Sequence, residues 1–326
     1  MSVASRLGCA LCCIATLAGI SVAVAAQSAY PARPIRVIVP YPPGGITDIT
    51  TRIVAQEIGK TFSQNVIVDN RPGANSILGV ELVANASPDG YTLASVIAAH
   101  AANQTLYPKL PYDSIRSFEA VSLLATAPLI TCVTNSLPAK NVKELIELAK
   151  QKPGQLTFAS SGIGAAAHLT TELLMIVTGI KLVHVPYKGT APALQDLIGG
   201  QVTIMMDTSS SMLPHVRAGK IRAIGMASEK RAAVAPDVPT YIEQGVQLVG
   251  GTWVGVLAPA KTSRDIVAKL SSAMGAAVQR PEVRQRFAEL GIDPVGNSPA
   301  EFRKFLEDEV AKWAKVIRTA NVKVEM

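Results

Sequence analysis

A strand, a tight turn and a helix start follow one another in the stretch IRVIVPYPPGGITD, which covers residues 35–48. The β-branched residues of 35–39 predict a buried strand, and the prolines and glycines of 40–45 predict a turn. We expect Thr47 or Asp48 to cap the helix that follows, because its apolar residues recur at helical spacing. This order of elements is that of one βα unit in a sheet.

The same alternation continues along the rest of the chain. Apolar and β-branched runs predict further strands at 66–68, 91–95, 156–159, 182–185, 202–206 and 252–257. Amphipathic helices are predicted at 77–86, 165–177 and 192–198, and others begin at the capping residues Asn141, Ser263 and Ser298. Strands that alternate with helices are typical of parallel βαβ units, so the predicted fold class is α/β.

The composition is that of a globular protein. The chain has 326 residues, of which 48% are hydrophobic and 17% are charged. These proportions exclude an intrinsically disordered chain, and the length suggests about two domains. The formal net charge of +7 is modest and spread along the chain. It does not indicate a nucleic-acid-binding surface, and we expect no nucleic-acid partner.

The first 26 residues are typical of a secretory signal peptide. A single charge, Arg6, precedes an apolar run at 7–24, and small residues predict cleavage after Ala26. The alternative is a retained membrane anchor, since the run is about long enough to span a bilayer. We expect cleavage, and a mature protein that is not inserted in the membrane.

Three of the four cysteines lie in this signal segment. The fourth, Cys132, lies in the apolar run 129–133, which predicts a buried strand thiol rather than a nucleophile. A single cysteine cannot form an internal disulfide, so the mature domain must be stabilised by packing.

No cofactor or metal is predicted, because the four histidines are far apart and lack metal-ligand spacing. Residues 162–167 fit the loose dinucleotide pattern G-x-G-x-x-A, but the strand at 182–186 lacks the acid that this pattern requires. Ser160 and Ser161 beside His168 leave a secreted serine hydrolase open as an alternative, although neither serine has the G-x-S-x-G elbow. We expect no enzymatic activity.

Three turns are candidates for an anion site. Two of them, at 39–48 and 159–168, join a strand to a helix start through glycine or serine, and a third polar turn lies at 73–76. A helix start exposes backbone N–H groups without helical partners, and glycine lets an anion approach them closely. Such junctions suit a carboxylate or a phosphate.

Asp207 ends an apolar strand and precedes a turn of serine and threonine at 208–211. Open α/β sheets bind ligands at the carboxyl ends of strands, where an acid can accept hydrogen bonds from an amino or hydroxyl group. The alternative is an Asx-type cap for the turn that follows. The sequence does not decide between these two roles.

Several motifs in a fixed order resemble one protein family. The segments at 41–45 with Asp48, 70–74, 87–93, 159–162 and 184–189 look like those of the Bug (TctC-like) proteins, the periplasmic solute receptors of tripartite tricarboxylate transporters. The resemblance covers essentially all of the chain after the signal segment.

The resemblance implies a two-lobe, type II periplasmic-binding-protein architecture whose lobes close on a ligand like a flytrap. The first lobe would comprise 27–125 and 251–326, and the second lobe would comprise 126–250. The chain would cross between lobes near 125–128 and 249–253. The protein would reside in the periplasm and deliver its ligand to a membrane permease; a partner role beside a membrane signalling kinase is the alternative.

The resemblance also implies a site for a small mono- or dicarboxylate, bound through backbone groups and bridging waters. The expected ligand-binding residues of the first lobe are Pro43, Gly44, Gly45, Asp48, Ala74 and Asn75. Those of the second lobe are Ser160, Ser161 and Gly162, with Asp207 as a specificity position. Asn75 and Ser76 stand where the family often has glycine, so the identity of the ligand does not transfer.

Overall fold

The computed structural model describes residues 30–324, and the predicted signal segment with its cleavage site lies outside these residues. The strands are β1 (Ile35–Val39), β2 (Val66–Asn70), β3 (Thr92–Val96), β4 (Phe118–Thr134), β5 (Thr157–Ser160), β6 (Val183–Pro186), β7 (Ile204–Thr208), β8 (Ile221–Met226), β9 (Gly251–Pro259) and β10 (Asp293–Pro294). The helices are α1 (Ile46–Phe62), α2 (Ile77–Ala84), α3 (Ala98–Leu106), α4 (Val142–Gln151), α5 (Ala166–Thr178), α6 (Thr190–Ile198), α7 (Ser209–Arg217), α8 (Arg264–Val278), α9 (Pro281–Glu289) and α10 (Pro299–Thr319).

The fold is α/β with two lobes, as predicted. In the first lobe, β2, β1 and β3 are parallel, and β3 continues through the antiparallel strand β9 to β4. In the second lobe, β7, β5 and β6 are parallel to one another, and β4 lies between β7 and β8 as an antiparallel neighbour of both. Each lobe has buried apolar clusters on the two faces of its sheet.

Strand β4 belongs to both sheets. Its first part pairs with β9 as far as Pro128 opposite Gly251, and its second part pairs with β7 from Leu129 opposite Thr208. The strands β1 and β3 run in the direction of β4, and Val96 at the end of β3 lies level with Leu123 through its partner Gly255, on the side that leads to Pro128. The strand β7 runs against β4 and ends there, since Thr208 is its last residue. The carboxyl ends of both sets of parallel strands consequently point toward the crossing point.

The chain returns to the first lobe through β9, and the C-terminal helices pack on that lobe. Trp313 of α10 is fully buried in an apolar cluster with Phe302 and Trp253. The capping residue predicted at Ser298 starts α10, where it forms a capping box with Glu301. Cys132 is buried in β4, as predicted.

The sequence prediction was wrong at the start of α1 and incomplete elsewhere. Gly45 occupies the N-cap position, and Thr47 and Asp48 lie in the first turn rather than before it. Helix α3 was not predicted, because it is buried almost all round and shows no amphipathic stripe. The residues at 208–211 predicted as a turn include the start of α7, and α9 was also missed.

In residues 30–324, no helix is both long and apolar enough to cross a membrane.

A buried carboxylate ties α10 to β9. Glu309 Oε2 accepts hydrogen bonds from the indole Nε1 atoms of Trp253, at 2.9 Å, and Trp313, at 2.8 Å. Lys312 Nζ donates to the other oxygen of Glu309 at 2.6 Å. Two indole N–H groups in the core therefore depend on one acceptor, and burial without a partner is costly for each of them.

We predict that Glu309→Ala lowers the free energy of unfolding by about 2–4 kcal/mol, because two buried indole N–H groups lose their acceptor. Glu309→Gln keeps a carbonyl oxygen and should lose less. Urea unfolding followed by tryptophan fluorescence measures both variants, with Glu307→Ala on the exposed face of the same helix as control. Equal stability of Glu309→Ala and Glu307→Ala would contradict this assignment.

Candidate ligand-binding cleft

Six helices begin at the two carboxyl edges that meet beside the crossing of β4. In the first lobe, α1, α2 and α3 follow the parallel strands β1, β2 and β3. In the second lobe, α5, α6 and α7 follow β5, β6 and β7. Each helix start carries backbone N–H groups that precede its first helical hydrogen bond, together with the positive end of the helix dipole. The cleft between the edges is therefore a region of favourable potential for an anion.

The turn before α1 exposes its glycines to this cleft edge. Gly44 and Gly45 are exposed, whereas Thr47 and Asp48 are buried. The first helical hydrogen bond of α1 runs from Ile49 N to Gly45 O at 3.0 Å, so the three amides before Ile49 precede the helical ladder. Gly44 has φ of +88°, a left-handed conformation that favours glycine.

Asp48 holds this turn in place. Its Oδ2 accepts the amide of Gly44 at 3.0 Å, and its Oδ1 accepts Arg52 Nε at 2.9 Å and Asn70 Nδ2 at 3.0 Å. Burial by itself raises the pKa of Asp48, but the hydrogen bonds from Arg52, Gly44 and Asn70 outweigh it and hold the pKa below its usual value. Asn70 also donates to Tyr41 O at 3.0 Å, which joins the end of β2 to the turn.

The turn before α2 has an unusual backbone. Ala74, Asn75 and Ser76 have φ values of 45°, 50° and 76°, so three consecutive residues other than glycine are left-handed. Such conformations cost free energy and persist where the surroundings hold them. Here Asn75 Nδ2 donates to Asn103 Oδ1 at 2.8 Å, and Asn103 Nδ2 donates to Asn75 O at 2.8 Å. The pair of amides fixes the turn against α3.

The turn after β5 lies against the turn after β6 in the second lobe. Ser160 O accepts the amide of Tyr187 at 3.0 Å, and Ser161 O accepts the amide of Gly189 at 3.0 Å. Ser160 is fully buried, and its Oγ lies 2.7 Å from His184 Nε2. Ser161 and Gly162 are half-buried at the edge of the turn.

The two lobes approach each other at these turns. A Cβ atom placed on Gly164 would lie 2.4 Å from Leu106 Cδ1 and 3.7 Å from Asn75 Nδ2. Gly164 belongs to the second lobe, whereas Leu106 and Asn75 belong to the first. The turns at 73–76 and 160–164 therefore face each other, and the glycine at 164 permits the close approach.

Asp207 is buried at the end of β7, where it links two helix starts. Its Oδ2 accepts Thr190 Oγ1 at 2.8 Å, and its Oδ1 accepts the amide of Thr208 at 2.7 Å and Ser211 Oγ at 3.1 Å. Burial raises the pKa of Asp207, and these hydrogen bonds oppose the rise. Asp207 thus binds residues at the starts of α6 and α7, and its role in specificity stays a prediction.

The arginine of the predicted turns is paired with an acid of the strand that precedes it. Arg71 is exposed, and its Nε donates to Asp69 Oδ2 at 3.1 Å. In residues 30–324, no group of three or more histidine, cysteine, aspartate or glutamate side chains has the arrangement of a metal site. Any anion in the cleft would be bound mainly by backbone amides and neutral polar groups.

Sequence reasoning missed three side chains that position these turns: Asn103, His184 and Thr190. Asn103 lies on the unpredicted helix α3, so no signal was available for it. His184 lies in a predicted strand, and its contact with Ser160 follows from the pairing of β5 with β6. Thr190 follows the glycine at 189 and begins α6, which is a local signal for a polar helix start.

We predict that Asp48→Asn lowers the free energy of unfolding at neutral pH by about 1–3 kcal/mol, because an amide cannot accept the three hydrogen bonds. The folded pKa of Asp48 is lowered, so its stabilisation is present above the unfolded pKa of about 4 and is lost as pH falls through the folded pKa. Urea unfolding at pH about 7 and about 3 should show the difference between wild type and variant shrinking in acid. The exposed Asp237→Asn is the control; a difference that stays constant with pH argues against the assignment.

The chain matches the family model described as "Tripartite tricarboxylate transporter family receptor" over residues 50–322. Protein BugT of Bordetella pertussis is 37% identical over 311 residues, which cover 94% of this chain and 95% of BugT. Two solved structures from Rhodopseudomonas palustris are similar throughout. Rpa4515 with adipate is 34% identical, with a TM-score of 0.82 over 90% of this chain and 99% of that one.

MatC with bound malate is also 34% identical, with a TM-score of 0.77 over 88% of this chain and 100% of that one. The predicted resemblance and the two-lobed fold are thereby confirmed. The family consists of solute-binding receptors rather than enzymes. The helix starts at the facing edges, the family model and the similarity to BugT together lead to one conclusion: the chain belongs to the receptor family of tripartite tricarboxylate transporters, the Bug (TctC-like) periplasmic solute-binding proteins.

Proposed function

We propose that this protein captures a small organic mono- or dicarboxylate in the cleft between its lobes and delivers it to the membrane permease of a tripartite tricarboxylate transporter. The observation that carries the proposal is the meeting of two carboxyl edges, each with three helix starts, at the crossing of β4. The bound form gains contacts to both lobes, so the ligand favours closure by its greater affinity for the closed state.

The first lobe would bind one carboxylate at the start of α1. Gly44 and Gly45 leave the first-turn amides open to a ligand, and Pro43 lies beside them. Asp48 would act by holding this turn, since its oxygens already accept hydrogen bonds from Gly44, Arg52 and Asn70. Ordered water can complete the anion's coordination almost as well as direct contacts do.

The remaining proposed contacts come from the turns that face each other. Ala74 is exposed and Asn75 is half-buried on the first lobe, and Ser161 and Gly162 lie at the edge of the second. Ser160 would contribute through its backbone and its support of the turn, because its side chain is buried. Asp207 would affect which ligand groups can bind at the second-lobe edge, because a buried acid disfavours a second negative charge beside it.

We propose the limits of the lobes as 27–125 with 251–326 for the first and 126–250 for the second. Closure would then be a rotation about β4 and the segment before β9. We also propose that the segment at 1–26 directs export to the periplasm and is cleaved after Ala26. The adipate of Rpa4515 and the malate of MatC make dicarboxylates the first ligands to test.

Isothermal titration of the purified mature protein with a panel of carboxylates tests the proposal. The panel contains adipate, malate, a monocarboxylate of matched length, a neutral sugar and a cationic amine. We expect saturable binding of at least one carboxylate, with a rise in the melting temperature, because a ligand that binds only the folded state stabilises it. A response to the sugar or the amine alone would overturn the proposal.

We predict that Gly45→Val abolishes carboxylate binding with little effect on folding. Gly45 has φ of −79°, and a side chain there would meet only Pro42 O, at 4.0 Å, so valine is tolerated by the protein but projects beside the first-turn amides. Gly45→Ala should weaken binding less, because its side chain is smaller. Isothermal titration of wild type and both variants measures the effect on binding, and their melting temperatures measure the effect on folding. Unchanged affinity in Gly45→Val would show that this turn is not part of the site.

A further inference from the structure

Three aromatic rings are stacked beneath the second-lobe turn. The rings of His168 and His184 are 3.9 Å apart between centroids, with an interplanar angle of 10°. The ring of Phe158 packs beside both imidazoles, with its centroid 4.7 Å from that of His184 and 6.1 Å from that of His168. The three residues come from α5, β6 and β5, so the stack joins all the elements that surround the turn at 160–164.

Both histidines are hydrogen-bonded to this turn. The amide of Gly164 donates to His168 Nδ1 at 3.0 Å, and His184 Nε2 lies 2.7 Å from Ser160 Oγ. Ser160 Oγ also accepts the amide of Gly162 at 3.3 Å. The beginning and the end of the turn are thus each attached to one imidazole.

The Gly164 bond fixes the protonation state of His168. A backbone N–H can only donate, so Nδ1 must be the unprotonated acceptor and the ring proton lies on Nε2. His168 Nε2 faces Glu172 Oε1 at 3.4 Å. A second proton on His168 would have to occupy Nδ1, where it would replace the hydrogen bond from Gly164 with a contact between two donors.

The surroundings of His184 favour its neutral ring. Burial, and then the neighbouring His168, lower the pKa of His184 to about 3. Glu172 on α5 lies beside His168, and β5 contributes Phe158 and Ser160, which do not titrate in this range. On β7, which also packs against α5, the buried acid Asp207 is bonded to Thr190, Thr208 and Ser211. On α10, which also packs against α5, the buried acid Glu309 is bonded to Trp253, Lys312 and Trp313.

We propose that His168 and His184 are positioning residues, a neutral stacked pair that fixes the turn at 160–164 in its ligand-binding shape, so that protonation of His168 releases Gly164 and weakens carboxylate binding. The effect on carboxylate binding rests on the proposed function, whereas the positioning of the turn by the two histidines does not. Gly164 is the residue of this turn that approaches Leu106 and Asn75 of the first lobe. A change in its hydrogen bond therefore acts where the two lobes meet.

The first test needs no ligand. The ¹H–¹⁵N signal of the Gly164 amide and the imidazole ¹⁵N signals of His168 are followed in the ligand-free protein from about pH 8 to about pH 5, the range in which histidines commonly change charge. We expect an unprotonated Nδ1 at the higher pH and a large change of the Gly164 signal on acidification. A protonated Nδ1 at the higher pH, or a Gly164 signal that does not respond to acid, overturns the proposal.

The second test uses substitutions that separate positioning from packing. In His168→Asn, Oδ1 takes the place of Nδ1 as acceptor and does not titrate, so the Gly164 signal should become insensitive to acid. His168→Leu keeps an apolar side chain but removes the acceptor, so the signal should be displaced at every pH. His215→Asn, at the end of α7, is the control and should retain the wild-type profile.

Adipate binding gives the functional readout. The dissociation constant of wild type should rise by about tenfold on acidification, the effect of losing one hydrogen bond that supports the site. Adipate itself begins to protonate at about pH 5, so the constant of His168→Asn should rise only by the part that comes from the ligand, and that of His168→Leu should be raised throughout. If His168→Leu fails to fold, the comparison of wild type with His168→Asn decides. An equal acid effect in these two proteins refutes the inference.

Failure of the proposed function is distinguishable from failure of this inference. If no carboxylate binds to wild type at any pH, the proposed function is wrong, and the ligand-free signals of Gly164 and His168 still decide whether the pair positions the turn. His184→Gln, which keeps a nitrogen near Ser160 Oγ, should preserve the turn, whereas His184→Leu should displace the Gly162 amide signal. Indistinguishable signals in these two variants would count against the role of His184.

Discussion

The shared strand β4 is the constraint on which the rest of the structure depends. It pairs with β9 over 118–128 and with β7 over 129–133, so one continuous backbone is a member of both sheets. The parallel strands of the first lobe run with β4, and those of the second lobe run against it. Both sets of carboxyl ends therefore point toward the crossing at 128–129, and the helix starts that follow them face the same crevice.

The groups proposed to attract an anion in the cleft are backbone N–H groups at helix starts rather than charged side chains. The two acids nearest its turns already have partners: Asp48 accepts hydrogen bonds from Gly44, Arg52 and Asn70, and Asp207 accepts them from Thr190, Thr208 and Ser211. A buried cation would need a partner whenever the cleft was empty, because an unpaired charge is costly to desolvate. Backbone amides at helix starts attract an anion without this cost, and water satisfies them when the lobes are open.

The two lobes hold their turns by different chemistry. In the first lobe an ionised carboxylate, Asp48, binds the turn, and an amide pair of Asn75 and Asn103 secures the strained backbone beside it. In the second lobe the imidazoles of His168 and His184 are hydrogen-bonded to the turn. The first arrangement depends on an acid whose pKa is lowered, and the second on hydrogen bonds to ring nitrogens.

The alternation of strands and helices and the capping residue at Ser298 are predictable from the sequence, because each depends on residues within a few positions of one another. The sequence also located the turns that begin with glycine or serine. Helix α3 escaped prediction because burial on all sides removes the periodic signal, and α7 did so because its first serines favour turns as well as caps. Only the tertiary structure decided that Ser160 contacts His184 rather than the nearer His168, and that Gly164 faces Asn75. These contacts depend on strand pairing and on the course of β4, which join residues distant in the chain and leave no mark in local sequence.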